Sequence, residues 1–129
     1  MDFIKKNSLF LSLCLLLVLT IFSFKLCSKA DTATGTYVKL TTSWNKYTTE
    51  ATARATNISG TTRYTGCIIK KNPSTPYASN YGAVSSGVSV YVTGVLIPAD
   101  ESAYATAIIY NSSAPASGSV ESFNVPILN

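Results

Sequence analysis

Cys67 is the only thiol beyond residue 30, and the chain has no histidine to serve as its base. A Ser or Cys nucleophile needs a neighbour that takes its proton, and imidazole is the usual one. Triad and dyad chemistry of the usual kind is therefore excluded. One thiol without histidine also falls short of a zinc site. Beyond residue 30 the carboxylates are Asp31, Glu50, Asp100, Glu101 and Glu121. Only Asp100 and Glu101 are adjacent, and two side chains fall short of the roughly six to eight oxygens that calcium takes. The seven glycines are scattered and make no phosphate loop. The residues thus predict a protein that is not an enzyme, with no catalytic residue, no metal and no cofactor. Cys67, between Gly66 and Ile68-Ile69, reads as a small buried apolar residue.

Aromatic side chains give the one binding signal. All eight tyrosines and Trp44 lie beyond residue 30. Tyr77 and Tyr81 stand in a Pro- and Ser-rich stretch, and Tyr91 alternates with Val90 and Val92, so it should point outward. Exposed rings offer large contact area at low entropic cost. Tyr77, Tyr81 and Tyr91 are the candidate ligand-binding residues.

The elements that must carry these rings are strands. Thr, Val, Ile and Tyr are abundant, alternation is frequent, and no stretch holds the helical apolar spacing. A first strand is expected over 36–44, with Val38, Leu40 and Trp44 on one face. A second follows over 48–57, with Ala51, Ala53 and Ala55 inward. A third covers 62–71, with Cys67 and Ile69 on one face and Tyr64 and Ile68 on the other. Asn57-Ile58-Ser59-Gly60 reads as the turn of a hairpin joining the second and third. Pro73 and Pro76 break the ladder, and a short edge strand follows near 81–84. Gly87–Thr93 should place Val88, Val90 and Val92 in the core. After a turn at Pro98–Glu101, a central strand runs over 103–111, apolar on both faces. The last covers 120–127, where Pro126 suits an edge. The expected fold is all-β: a small antiparallel β-sandwich of about seven strands, immunoglobulin-like with Greek-key connections, preceded by a signal-peptide helix.

Asp100-Glu101-Ser102-Ala103-Tyr104 resembles the turn that carries a tyrosine corner in immunoglobulin-like sandwiches, which makes Tyr104 a candidate corner residue. The paired core cysteines of antibody domains are absent, with Ala53 and Thr106 near where they would fall. Lys39 or Lys46, Glu50 and Asn57 are the residue types of the Lys–Asn isopeptide bonds found in some Gram-positive surface sandwiches. Asn57-Ile58-Ser59 and Asn111-Ser112-Ser113 match the N-glycosylation sequon, both at expected turns.

Lys5 and Lys6 precede an apolar run from Leu9 to Phe24, and Ser28 and Ala30 are small residues at −3 and −1 of a cut after Ala30. That is the layout of a cleavable export signal. The expected division is a signal peptide over 1–30 and a β-sandwich domain over 31–129, secreted to the extracellular space. The alternative is an N-terminal membrane anchor, the leader being the chain's only route to a membrane. The apolar run is 16 residues, and a spanning helix wants about 20.

The leader also explains the charge. It holds Lys5, Lys6, Lys25 and Lys29 against Asp2, so most of the formal +4 is lost with it. What remains is nearly balanced, which argues against a nucleic-acid partner. The expected function is a secreted binding or interaction module for an extracellular glycan or protein. Two alternatives stand beside it. The export signal, small size, Tyr/Thr/Ser/Ala-rich composition and the run Ala107-Ile108-Ile109-Tyr110-Asn111 are similar to the lactococcin family of small secreted bacteriocins, which would imply an antagonistic factor. The third reading is a structural cell-surface component.

Overall fold

A computed structural model of the chain describes residues 7, 8, 12, 28–72, 75–115 and 118–127. The leader expected over 1–30, with its helix, lies outside the described residues apart from 7, 8, 12 and 28–30.

The fold is all-β. Its eight strands are β1 (Ser28–Thr34), β2 (Val38–Asn45), β3 (Glu50–Asn57), β4 (Arg63–Asn72), β5 (Thr75–Val84), β6 (Ser89–Leu96), β7 (Ala103–Tyr110) and β8 (Ser119–Ile127). They form two four-stranded antiparallel sheets, ordered β1-β2-β3-β6 and β5-β4-β7-β8. The sheets face each other across one apolar core, a sandwich-like arrangement. The first sheet contributes Val38, Leu40, Trp44, Ala51, Ala53, Ala55, Val90 and Val92. The second contributes Cys67, Ile69, Ala103, Ala105, Ala107, Ile109, Val125 and Ile127. The period-2 faces read for β2, β3 and β4, and for Val90 and Val92 of β6, are those that are buried. β7 lies between β4 and β8, as its apolar faces required, and Pro126 lies in the edge strand β8.

Four expectations fail, each for a physical reason. The eighth strand is β1, which pairs with β2 from Ser28↔Asn45 to Thr34↔Lys39. Its sequence, SKADTAT, lacks apolar alternation, because an edge strand can be held by backbone hydrogen bonds alone.

The expected β3–β4 hairpin does not form. The two strands belong to different sheets, and β4 pairs with β5 and β7 instead. Asn57, read as a turn residue, is fully buried. Its Nδ2 donates to the carbonyls of Thr61 (2.7 Å) and Val84 (2.8 Å). Its Oδ1 accepts from the Ser59 N–H (2.9 Å) and hydroxyl (2.7 Å). A buried amide with its polar groups satisfied fixes the path by which the chain crosses between the sheets. Gly60, at φ 82°, supplies the left-handed residue that the crossing requires.

The edge strand expected near 81–84 is longer than that and is Thr75–Val84, the hairpin partner of β4. Val88 is exposed, not core: its N–H bonds the Ser85 carbonyl in the turn that precedes β6.

Two further side chains tie the layers. The Trp44 indole donates to the Ile97 carbonyl at 3.2 Å, holding the crossing from β6 to β7. Glu121 of β8 reaches over to the first sheet. Its carboxylate accepts the backbone N–H groups of Thr36 (2.7 Å), Tyr37 (2.8 Å) and Val38 (3.0 Å).

Candidate ligand-binding face

In a strand pair, every second residue of each strand points to the same side. On β4 the outward residues are Tyr64, Gly66, Ile68 and Lys70, since Cys67 and Ile69 point into the core. Their partners on β5 are Ala83 for Tyr64, Tyr81 for Gly66 and Ser79 for Ile68. On β7 they are Ile108 for Gly66, Thr106 for Ile68 and Tyr104 for Lys70. β8 completes the face with Ser122, Asn124 and Pro126, opposite Ile108, Thr106 and Tyr104.

This register brings three tyrosines together. The rings of Tyr64 and Tyr81 lie 6.1 Å apart between centroids and within 13° of parallel. Tyr110 meets Tyr64 edge-on, at 5.7 Å and 63°. The ring of Tyr81 lies over Gly66, where any Cβ would overlap it. Only glycine leaves room for the ring to rest on the β4 backbone. Tyr81 remains 38 % exposed in that position. Desolvation first, then the neighbouring phenols of Tyr110 and Tyr64, raise its hydroxyl above the ordinary value, so it stays protonated at neutral pH.

At the other end of the face, Tyr104 and Pro126 line a depression of about 470 Å³ together with Asp100, Glu101, Ser102 and Ile127. Glu101 is held there from two sides. Lys71 Nζ donates to its Oε1 at 2.9 Å, and the Tyr77 hydroxyl donates to its Oε2. The Tyr77 bond first, and Lys71 second, hold the Glu101 carboxyl below its ordinary value.

The three candidate ligand-binding tyrosines are therefore separated. Tyr81 belongs to the ring cluster. Tyr77 lies at the far end of β5, beside Glu101. Tyr91 points outward as expected but from β6, opposite Arg54 on the other sheet. Its link to β5 is through backbone: Asn80 Nδ2 donates to its carbonyl at 3.1 Å. Tyr104, the candidate corner residue, stands on the outer face between Lys70 and Pro126. Sequence reasoning missed Tyr110 and the role of Gly66. The spacing Tyr64-x-Gly66-x-Ile68 was the available signal, but its meaning depends on which strand lies alongside.

The remaining reactive groups are placed for structure. Cys67 is fully buried and free, and desolvation pushes its thiol up to about 12 against weaker opposing bonds from the Ala55 and Val92 backbone. A thiol so held is not a nucleophile at neutral pH. Asn57 and Glu50 lie at opposite ends of β3, and Asn57 spends its amide on backbone, so the isopeptide residues are not brought together. Among the described residues, no group of three or more His, Cys, Asp or Glu side chains is placed to hold a metal ion.

Comparison with protein-family models, with curated proteins and with solved structures finds no match. The class of this protein therefore rests on its fold and its surface: a small all-β protein of two packed four-stranded sheets.

Proposed function

We propose that this chain is a secreted, non-enzymatic binding module that meets an extracellular glycan or protein through the outer face of β5-β4-β7-β8. The observation that carries the reading is Tyr81, laid over Gly66 and flanked by the near-parallel ring of Tyr64. Rings packed this way lose little freedom on binding, and large planar contacts give most of the binding energy at many recognition surfaces. The outer face of the other sheet differs: Lys39, Thr41 and Ser43 on β2 and Glu50, Thr52, Arg54 and Thr56 on β3 are polar or charged, and its exposed ring, Tyr91 on β6, stands beside Arg54.

Export is supported by Lys5-Lys6, the apolar run from Leu9 to Phe24 and the small residues Ser28 and Ala30. A Greek-key, immunoglobulin-like reading of the sandwich is supported by β3 pairing with β6 while β4 and β5 pair in the opposite sheet. The experiment is to screen the exported protein against arrayed glycans and extracellular proteins beside its Tyr64→Ala variant. The proposal expects a retained ligand whose signal drops in the variant. A ligand bound equally by both would remove this face from the function.

A further inference from the structure

We infer that the ligand of this face is an uncharged oligosaccharide, several sugar units long, laid along β7 from the Tyr81 ring to the depression beside Tyr104. This rests on the reading of the face as a binding surface and adds the chemistry of what it holds.

The first support is the shape of the aromatic end. The Cδ1–Cε1 edge of the Tyr81 ring fills the place of a Cβ on Gly66, and the residue remains 38 % exposed. What the ring offers is a plane, with Tyr64 stacked near-parallel beside it at 13°. The C–H-rich side of a pyranose ring matches such a plane, because its hydrogens meet the negative face of the π system.

The second support is charge. Between Tyr64 and Tyr104 the outward positions on β4, β5, β7 and β8 are tyrosine, glycine, isoleucine, alanine, serine, threonine and asparagine, with no ionised group. Ile68 and Thr106 are buried within that stretch, and the exposed polar side chains beside them, Ser79 and Asn124, suit hydroxyls. Thr106 Oγ1 donates to Asn124 Oδ1 at 2.5 Å, so the exposed amide of Asn124 has its N–H groups turned away from that bond. Charges gather only at the depression end, where Lys70 stands opposite Tyr104 and Glu101 is already paired with Lys71, and the central stretch holds neither a cation for an acidic chain nor a carboxylate for a basic peptide.

The third support is length. Tyr81 pairs with Gly66, which pairs with Ile108, so the ring lies level with a residue four positions from Tyr104 on β7, roughly 13 Å away at the rise of an extended chain. One sugar unit cannot touch both ends; a chain of several can.

The test is an array of neutral, uronic and sulfated oligosaccharides of increasing length, probed with the exported protein. Neutral chains should be retained, with affinity rising over the first several units and then levelling, and with little change between low and high salt. Tyr81→Ala should weaken binding up to about tenfold. Tyr81→Phe, which keeps the plane, should bind as the parent does, and Tyr104→Ala should weaken only the longer chains. Equal affinity for single sugars and long chains, retention of acidic glycans alone, or no retained glycan overturns the inference. A protein ligand lost in Tyr81→Ala overturns the glycan but keeps the binding face. A ligand indifferent to Tyr81→Ala overturns both.

Discussion

Tyr81 rests on Gly66: the two are paired across β4 and β5, and the ring occupies the space that a Cβ on residue 66 would need. The pair makes the outer face of the second sheet a consequence of one missing methyl group. Gly66→Ala should therefore act in two ways. The ring must shift off the backbone, and overpacking of this kind costs on the order of 1 kcal/mol. Urea unfolding measures that cost, and near-UV dichroism reports the displaced tyrosines. Pairing Gly66→Ala with Tyr81→Ala should give less destabilisation than the two changes summed, because the clash disappears with the ring.

Glu121 is the second relationship with a consequence. Desolvation pushes its carboxyl up, but the N–H groups of Tyr37, Thr36 and Val38 pull it further down, and the net shift is below the ordinary 4.5. The fold thus favours the ionised form. The stability it gives is complete above about pH 4.5 and is lost as pH falls through the lowered folded value. Glu121→Gln should flatten that acid limb in a pH series of thermal melts. Glu121→Ala leaves three N–H groups without their acceptor and should cost about 2–3 kcal/mol at neutral pH.

Asn57 separates the two sequons. With both Nδ2 bonds spent on Thr61 and Val84, and the side chain fully buried, it cannot carry a sugar in the folded state. Asn111 is exposed. Expressed in a glycosylating host, the chain should gain a glycan at Asn111 and none at Asn57, as peptide mass mapping would read. Asn57→Leu, which takes the amide from the Thr61 and Val84 carbonyls and the acceptor from Ser59, should destabilise by about 2–4 kcal/mol.

The inward faces were legible because burial on a strand has period two. Val38, Leu40 and Trp44, the Ala51-Ala53-Ala55 series and Val90-Val92 each carry that signal in their own spacing. Strand partnership is different, since it depends on residues far apart in the chain. Asn57 shows the difficulty: a polar residue before Ser-Gly reads as a hairpin turn, yet here it is the buried clip of a crossing between sheets. The binding face was half legible for the same reason. Tyr81 could be chosen as exposed, but its grouping with Tyr64 and Tyr110, and its separation from Tyr91, follow from the registers of β4, β5 and β7.

Binding through β5-β4-β7-β8 and binding through the opposite sheet make different demands on the exposed tyrosines. The most direct measurement compares the affinity of the exported protein, Tyr81→Ala and Tyr91→Ala for one and the same retained ligand. Both residues are exposed tyrosines, on opposite sheets. Binding through β5-β4-β7-β8 gives a loss of up to about tenfold for Tyr81→Ala and no measurable loss for Tyr91→Ala. Loss in Tyr91→Ala with Tyr81→Ala unaffected would contradict it.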